Sequence, residues 1–500
     1  MENLIIGPIL GLESDKTYTI CFLVSKCVSK AQVIIDEKIL LAKNISRLPS
    51  GNFWRAQVSI APPKGSAGKI VSYKIRLDGE DSLNSHGIAS WKFYVPGLEE
   101  TPKIAYTSCN GVSKVDLITS MDDPFQLWRK MSEVNEDQPF SLLIMGGDQL
   151  YADSIWNKIE ALESWASLTK GEQTASNINQ ETAYKIDHFY DQLYIQRWNE
   201  KYMSHMLASV PSIMMWDDHD IFDGWGSYPK ELQQCPVFLE IFSYAKKYFE
   251  LYQIRSRKNK TLLSKDGNHY AFCLNFREFT LLGLDNRSER EVTRVMSDEQ
   301  WAQVIDCLQC IKEGTLLVMS AVPVVYRDFS LTETAYDITP WSESLTDDLK
   351  DHWRAREHEG ERNRLIMRLL DNARERQSNG PTKTIILSGD VHVGCLGVIT
   401  DRRDQEIVKI HQVVSSGIVH PAPSLIAWLG IRAVTNDEPE YINEERSIES
   451  SMLKPVGAKK YIRARNFVTL REGTDRKIWV NWIVESESLE SGEKPAYPIS

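Results

Sequence analysis

The chain has few cysteines, no long apolar run and no excess of basic residues, and each absence excludes a class of protein. Eight cysteines in 500 residues are too sparse for a scaffold held together by disulfides. No apolar run approaches the roughly 20 residues that a membrane-spanning helix needs, and the N-terminal stretch lacks the basic region of a signal peptide. The sequence therefore predicts a cytoplasmic protein with no membrane partner.

The charge balance argues against general nucleic-acid binding. The formal net charge is −11, whereas proteins that bind nucleic acids generally present a basic surface. Hydrophobic residues make up 42% and charged residues 25% of the chain, which is an ordinary globular balance that can bury a core. The charge balance does not exclude a locally positive pocket, because metal cations can supply positive charge without Lys or Arg.

The pattern of apolar residues changes near residue 100. Residues 1–100 contain short segments with alternating or β-branched residues between turn sequences, which predicts an N-terminal all-β domain of immunoglobulin or fibronectin type. Residues 101–500 alternate short apolar runs with long helical stretches, which predicts an α/β domain with strands buried on both faces. Residues 155–200 and 326–360 are long enough to shape a pocket. The apolar runs occupy residues 104–109, 140–148, 210–218, 278–286, 315–323 and 384–390.

Residues that can do chemistry follow five of these runs. Ligands of open α/β sheets bind beyond the carboxyl ends of the strands, so these side chains are expected to meet at one edge. Clustered carboxylates repel and lose hydration, which indicates two or more metal ions. The segments are Ser108-Cys109-Asn110, Gly147-Asp148-Gln149-Leu150-Tyr151, Trp216-Asp217-Asp218-His219-Asp220, Asp285-Asn286-Arg287 and Ser388-Gly389-Asp390-Val391-His392.

Each segment alone has a simpler interpretation. An aspartate after a strand is most often a helix cap, a lone histidine is usually a core or surface residue, and a lone buried cysteine packs as a small apolar residue. Cys307-Leu-Gln-Cys310 has the spacing of redox and zinc sites, but its helical pattern and the lack of a second pair predict helix core. The coincidence of five segments at the same strand ends favours a site.

The motifs GGDQLYAD, WDDHDIFDGWG and LSGDVHVG, preceded by SCN, resemble the alkaline phosphatase D (PhoD-like) branch of the calcineurin-type metallophosphoesterases. The likeness covers about residues 100–480 and keeps the order of the motifs. It implies a two-layered β-sandwich flanked by helices, and a metal-dependent hydrolase of phosphoesters, of the phosphodiesterase or alkaline phosphatase type, that acts on a small phosphoester. A purple acid phosphatase proper fits less well, since it would have Asp, Asn and His where this chain has Cys109, Asp218 and Asp390.

The resemblance also assigns the ligands of the first metal ion. Asp148 would be the carboxylate that bridges the metals, and Cys109, Tyr151 and His392 would complete the first site. Thiolate and phenolate donors suit Fe³⁺, which acidifies both groups.

The remaining ligands indicate a harder cation. Asp218 and Asp390 stand where the superfamily has nitrogen ligands, and oxygen donors favour Ca²⁺. The resemblance therefore implies Fe³⁺ with Ca²⁺, two or three ions in all, with Mn²⁺ and Zn²⁺ open as alternatives. The superfamily's additional histidine ligand is not evident after the fifth strand, and Asp217 and Asp220 are interpreted as supporting groups or helix caps.

Two further residues receive catalytic roles from the resemblance. His219 would protonate or stabilise the leaving group, and Arg287 would grip a phosphoryl oxygen, unless it forms a salt bridge with Asp285 or Glu289. A hydroxide generated by the metals would attack phosphorus in line. Cys109 as a nucleophile is disfavoured, because no phosphate-cradling Cys-x5-Arg loop follows it. The alternative function is a non-catalytic phosphate-binding or scaffolding protein on the same fold.

Overall fold

The computed structural model describes residues 3–113, 115–327, 353, 355, 357–485 and 495–500. Most of the segment 326–360 therefore lies outside the described residues. The strands are β1 (Leu4–Ser14), β2 (Thr17–Val24), β3 (Ala31–Ile35), β4 (Lys38–Leu41), β5 (Lys43–Arg47), β6 (Asn52–Ser59), β7 (Lys69–Leu77), β8 (Glu80–Asp81), β9 (Trp91–Val95), β10 (Ile104–Thr107), β11 (Leu142–Gly146), β12 (Ser212–Met215), β13 (Phe272–Phe276), β14 (Phe279–Gly283), β15 (Thr315–Met319), β16 (Lys383–Ser388), β17 (Gly394–Asp401), β18 (Val408–Val414), β19 (Glu440–Tyr441), β20 (Ile448–Leu453), β21 (Tyr461–Ile462), β22 (Asn466–Glu472), β23 (Ile478–Val484) and β24 (Ala496–Ile499).

Helices cover the sheets and fill much of the segment 155–200. None of those in the described part of the chain is long and apolar enough to cross a membrane. The helices are α1 (Val115–Thr119), α2 (Gln126–Asp137), α3 (Ile155–Lys158), α4 (Glu160–Ala166), α5 (Lys170–Ala175), α6 (Gln180–Trp198), α7 (Lys201–Ser209), α8 (Lys230–Gln233), α9 (Pro236–Tyr252), α10 (Asp298–Cys310), α11 (Glu359–Asn379) and α12 (Leu425–Val434).

Three sheets organise the molecule. The first has the strand order β24-β23-β22-β10-β11-β12-β1-β2-β6-β5, and β10, β11 and β12 run parallel in it. The second has the order β13-β14-β15-β16-β18-β17-β20-β19, with β21 on β17, and β14, β15, β16 and β18 run parallel in it. The third is small and has the order β4-β3-β7-β8, with β9 on β7. The six predicted apolar runs all contain strands of the first two sheets.

Strand β15 shows how the layers are built. Successive side chains of a strand point to opposite faces, and here both faces are buried. Leu317 and Met319 pack in the core shared with the first sheet, whereas Leu316 and Val318 pack in a second core. That second core also contains residues of α10 and α11, such as Trp301. The predicted two-layered sandwich flanked by helices is therefore confirmed.

The first hundred residues divide between two sheets. Tyr18 of β2 packs against Phe93 of β9 with ring centroids 5.1 Å apart, so the first and third sheets face each other as an all-β sandwich. Strand β1, however, pairs in parallel with β12 through Gly11 and Ser212. One sheet thus runs across the predicted boundary at residue 100, and the division into residues 1–100 and 101–500 stays a prediction.

The Cys-x-x-Cys pair ends α10. The helix is as predicted, beginning after Ser297, whose side chain accepts the backbone N–H of Gln300. Cys307 packs partly against the second core, while Cys310 is exposed. The prediction of helix core is therefore wrong for Cys310, because Cys310 lies on the side of α10 opposite the buried Trp301.

Candidate metal centre

The predicted metal ligands follow strands of both main sheets. Cys109 comes two residues after β10, Asp148 two residues after β11, and Asp218 three residues after β12. Asp390 and His392 come after β16 in the second sheet. The carboxyl ends of these parallel strands meet at one edge of the sandwich, as the sequence predicted.

Two groups of ligand atoms lie at this edge. The ligand atoms of Cys109, Asp148 and His392 all lie within 4.8 Å of one another, and so do those of Asp148, Asp218 and His219. Asp148 belongs to both groups, as a carboxylate that bridged two metal ions would have to. The structure thus places His219, which sequence reasoning treated only as a catalytic residue, among the candidate ligands of the second group.

Tyr151 and Asp390 border the first group. The phenol oxygen of Tyr151 is 3.4 Å from Asp148 Oδ2 and 3.4 Å from His392 Nε2, so it faces the same point as the three ligand atoms. The backbone N–H of Asp390 approaches the Cys109 thiol. Within the described residues, Asp390 is in neither group at the 4.8 Å spacing, and its role as a ligand stays a prediction.

The backbone is strained at four of the predicted ligands. The angle φ is 49° at Cys109, 52° at Asp148, 68° at Asp390 and 51° at His392. The left-handed region costs a residue with a side chain roughly 1–2 kcal/mol, and such strain clusters at functional sites. Hydrogen bonds between neighbouring loops hold it in place, among them the one from the backbone N–H of Asn110 to the carbonyl of Asp148 at 2.7 Å.

Burial opposes ionisation throughout the first group. Burial and then the charge of Asp148 raise the pKa of the Cys109 thiol well above its usual value, and they do the same to the pKa of Tyr151. Burial and then the charge of Asp217 raise the pKa of Asp148. A thiol, a phenol and a carboxyl group that all resist ionisation are the groups whose anions a bound cation would stabilise.

A metal ion also fits an unsatisfied atom. Asp148 is 1% exposed, and its Oδ1 has no hydrogen-bond partner in the described part of the molecule. A buried polar atom without a partner costs about 1–3 kcal/mol, and a cation at this point would satisfy it. Burial and the neighbouring His420 and His219 hold the pKa of His392 well below its usual value, which keeps this imidazole in the neutral form that binds metals.

His219 has a carboxylate partner that sequence reasoning missed. Its Nδ1 is 3.0 Å from both carboxylate oxygens of Asp153, and its ring stacks on Tyr151 with centroids 4.3 Å apart. Burial lowers the pKa of His219, but the charges of Asp153 and Asp218 outweigh burial and raise it well above its usual value. The only sequence signal for Asp153 is an acidic residue two positions after Tyr151.

His420 is a second residue that sequence reasoning missed. Its ring lies parallel to that of His392, with centroids 3.5 Å apart, and 5.6 Å from the ring of Tyr151. Its Nδ1 is 2.9 Å from the carbonyl of Pro421, and burial lowers its pKa to about 4. His420 follows β18, a strand end at which the sequence shows no motif.

Arg287 lies next to the second group. Its side chain is fully buried, with Nε donating to Asp217 and Nη2 3.6 Å from Asp218 Oδ1. The ion pair therefore forms with the Asp217-Asp218 segment and not through the partners considered from the sequence. Contact with a phosphoryl oxygen stays a prediction.

Asp220 acts as a cap, as the sequence suggested. Its carboxylate accepts the backbone N–H groups of Asp217 at 3.0 Å and of Gln149 and Leu150 at 3.2 Å. Burial raises the pKa of Asp220 to about 7. This one side chain ties the loop after β12 to the loop after β11, and so fixes Asp218 relative to Asp148.

Two solved structures share this fold. A solved structure of PhoD aligns with 100% of this chain and 92% of its own, at 13% identity and a TM-score of 0.61. The purple acid phosphatase PPD1 of yellow lupin (Lupinus luteus) aligns with 99% of this chain and 74% of its own, at 12% identity and a TM-score of 0.51. Because both identities are low, these structures establish the fold alone.

A curated relative and a family model match the sequence itself. The uncharacterized protein YGR266W of Saccharomyces cerevisiae is 26% identical over 472 residues, which cover 76% of this chain and 65% of the relative; this chain thus spans about two thirds of that protein. The sequence model described as PhoD related phosphatase matches residues 84–340. That match includes Cys109, Asp148 and Asp218 but stops before His392. With more than half of the sequence matched and the fold of PhoD, the chain belongs to the family of PhoD related phosphatases.

Proposed function

We propose that this protein is a metal-dependent phosphodiesterase, with Asp148 bridging two metal ions. The observation that carries the proposal is the membership of Asp148 in both groups of ligand atoms. A carboxylate with a buried, unpartnered oxygen next to a second acidic segment is costly to maintain. Two cations remove that cost and complete a site for a phosphate anion.

Cys109, Tyr151 and His392 would hold the first ion, and Asp218 the second, with Asp390 as a further candidate. The thiolate and phenolate donors favour Fe³⁺ at the first position, and the carboxylates favour Ca²⁺ at the second. Mn²⁺ or Zn²⁺ is the alternative at either position. When bound, such ions lower the pKa of water and neutralise charge on a phosphate.

His219 is the proton donor of the proposed reaction. Asp153 accepts from its Nδ1 at 3.0 Å, so Nε2, which is 4.0 Å from Asp223 Oδ1, is the nitrogen that would face the substrate. The raised pKa of His219 keeps a proton available for the departing alkoxide near neutral pH. Arg287, held by Asp217, would orient Asp218 and supply positive charge towards the phosphoryl oxygens.

The substrate is proposed to be a small phosphodiester in the cytoplasm. The overall charge of −11 disfavours nucleic acids as general partners, so the phosphate is expected on a smaller molecule. The eight cysteines are all free in the structure, which suits a reducing compartment.

The test is hydrolysis of bis(p-nitrophenyl) phosphate by the Asp148→Asn variant. Because one substitution disturbs both proposed metal positions, we expect kcat/KM to fall by at least about a thousandfold. Asp191→Asn is the matched control, since Asp191 is equally buried but accepts a hydrogen bond from Ser50 at 3.0 Å, outside the site. If Asp148→Asn kept its activity within about threefold of the wild type, the bridging role would be refuted.

A further inference from the structure

Helix α12 presents a row of apolar side chains to the solvent. Leu425 is 59% exposed, Ile426 84% and Leu429 53%. Leu429 lies four positions from Leu425 and three from Ile426, and these two spacings bring side chains together on a helix, so the three side chains form a continuous strip. A side chain added at Gly430 would meet nothing within 4 Å. Exposed apolar residues occur singly on most proteins, whereas a contiguous group indicates an interaction surface.

The other side of α12 is fixed to the protein. Trp428 is 6% exposed, and its ring lies 5.2 Å from that of Tyr461 and 5.9 Å from the guanidinium of Arg327. Ser424 caps the helix by accepting the backbone N–H of Ala427 at 3.2 Å. The apolar strip is therefore displayed by an anchored helix.

The strip lies close to the candidate metal centre. Ile426 comes six residues after His420, whose ring stacks on His392. Six residues span at most about 20 Å even when fully extended, so the strip lies no farther than that from His420. The intervening segment is held at its second half by Arg463, which donates to the carbonyl of Pro423 at 3.0 Å.

Basic residues lie on α12 itself and on the segments that hold it. Arg432 is exposed on α12 itself, and Lys459 is exposed two residues before Tyr461, which packs against Trp428. The nearby carboxylate of Asp437 is already paired with Lys460 at 3.2 Å and with Arg327 at 3.4 Å.

A second nearby carboxylate, Glu440, is paired with Arg362 at 2.8 Å. Glu438 is an exposed acidic residue there, but it is outnumbered by Arg432, Lys459 and Arg463. This local excess of positive charge stands out on a chain with a net charge of −11.

We propose that α12 lies in the surface of an anionic lipid bilayer and that the substrate is the phosphodiester headgroup of a lipid in that bilayer. An interfacial helix buries its apolar face about 5–10 Å into the headgroup and acyl boundary, with basic residues along its rim. The anionic cytoplasmic leaflet supplies complementary charge. The substrate half of the proposal rests on the phosphodiesterase function proposed above, and it replaces the small cytoplasmic phosphodiester named there with a lipid headgroup. The membrane contact departs from the sequence-based expectation of no membrane partner.

The first measurement is flotation of the full-length chain with vesicles. One set contains phosphatidylcholine alone, and the other contains equal parts of phosphatidylcholine and phosphatidylserine. We expect the wild type to float with the anionic set, and the double variant Ile426→Asp with Leu429→Asp to bind at least about tenfold more weakly. We expect Arg432→Ala to weaken only the binding that depends on phosphatidylserine, by about fivefold.

The matched control carries the same change on another exposed apolar pair. Ile39 and Leu41 of β4 are 56% and 67% exposed, so Ile39→Asp with Leu41→Asp alters charge and surface equally and is expected to float as the wild type does. The membrane contact is overturned if the wild type does not float with the anionic vesicles. It is also overturned if the double variant at α12 floats as well as the control. Loss of self-association in the α12 variant, measured by light scattering, with unchanged flotation would assign the strip to a second copy of the chain and overturn it too.

The second measurement separates this proposal from the function itself. Hydrolysis of bis(p-nitrophenyl) phosphate by the α12 double variant is expected to match the wild type within about twofold, while release of headgroup from anionic vesicles falls at least about tenfold. Equal loss on both substrates overturns the role of α12 in delivering lipid. A wild type that floats but hydrolyses neither substrate refutes the phosphodiesterase function and leaves the membrane contact standing.

Discussion

Asp148 concentrates the electrostatic cost of the site in one side chain. It is 1% exposed, it stands in a left-handed backbone conformation with φ of 52°, and burial with the charge of Asp217 raises its pKa. Each feature alone destabilises the fold. The proposed pair of cations would explain their coincidence at one residue, because each cation would stabilise the carboxylate.

His219 gives the site its expected pH dependence. Its pKa is raised by Asp153 and Asp218 against the effect of burial, so the proposed proton donor stays protonated to a higher pH than an ordinary histidine. We expect Asp153→Asn to remove one of these charges and to lower the pKa of His219. The basic limb of the kcat/KM profile would then move to lower pH.

The measurement is the pH profile of bis(p-nitrophenyl) phosphate hydrolysis, with Asp191→Asn as the control. A lower plateau with an unmoved basic limb would show that Asp153 serves the fold alone and that His219 is not the titrating donor.

At the scale of single residues, sequence motifs predicted the ligands that stand directly after strands. The prediction was possible because the end of an apolar run can be recognised from the sequence. Cys109, Asp148 and His392 do lie together. Asp153 and His420 could not be predicted in this way, since their roles depend on contacts with His219 and His392 across the chain. The positive φ angles are equally hidden, because these residues are not glycine.

At the scale of elements, the apolar runs predicted the strands because both faces of each strand are buried. Strand β15 illustrates the point, with five successive buried residues from Thr315 to Met319. The pairing of strands was less predictable. The contact between β1 and β12 joins Gly11 to Ser212, and no local pattern in either segment indicates a partner so far away in the sequence.

An ion-pair cluster fastens helix α11 to the second sheet. Arg374 of α11 donates to Asp401 at the end of β17 at 2.7 Å, and Arg403 donates to the same carboxylate at 2.8 Å. Burial opposes ionisation of Asp401, but the hydrogen bonds from Arg403 and Arg374 outweigh it and lower its pKa to about 2. Since the pKa in the folded state lies below that in the unfolded chain, the cluster stabilises the fold above about pH 4, and this contribution is lost as the pH falls towards 2.

We therefore expect Asp401→Asn to reduce the free energy of unfolding by about 2 kcal/mol at neutral pH, and by less as the pH falls below about 4. Urea unfolding at several pH values measures this. Asp404→Asn is the control, because Asp404 pairs with the same Arg374 at 2.8 Å but is 64% exposed, and an exposed pair contributes about 0–1 kcal/mol. Equal effects of the two substitutions, or a pH-independent effect of Asp401→Asn, would contradict the account.

At the scale of the whole molecule, the first sheet joins the N-terminal strands to the site. Asp218 follows β12, and β12 lies between β11 and β1. Arg255 reinforces the junction by donating from Nη2 to the carbonyl of Ser212 at 2.6 Å, and Ser212 donates to the carbonyl of Leu10 at 3.0 Å. The N-terminal strands therefore support one of the candidate ligand loops.

A chain that begins at residue 101 tests this dependence. Without β1, strand β12 becomes an unpaired edge with an exposed apolar face, which favours aggregation. We expect the shortened chain to be insoluble or to lack a cooperative unfolding transition, with the full chain expressed in parallel as its control. A shortened chain that stays monomeric by size-exclusion chromatography and unfolds cooperatively would support two independent domains with their boundary near residue 100.

The central claim is that the candidate metal centre holds two metal ions around Asp148. Metal analysis by mass spectrometry tests this claim most directly. The full-length protein and Asp148→Asn are purified side by side after incubation with Fe³⁺ and Ca²⁺, and the tightly bound metal per chain is counted. The account predicts about two ions for the wild type, and loss of at least one of them in the variant, because Asp148 belongs to both groups of ligand atoms. A wild type that retains no metal, or a variant that retains as much as the wild type, would contradict it.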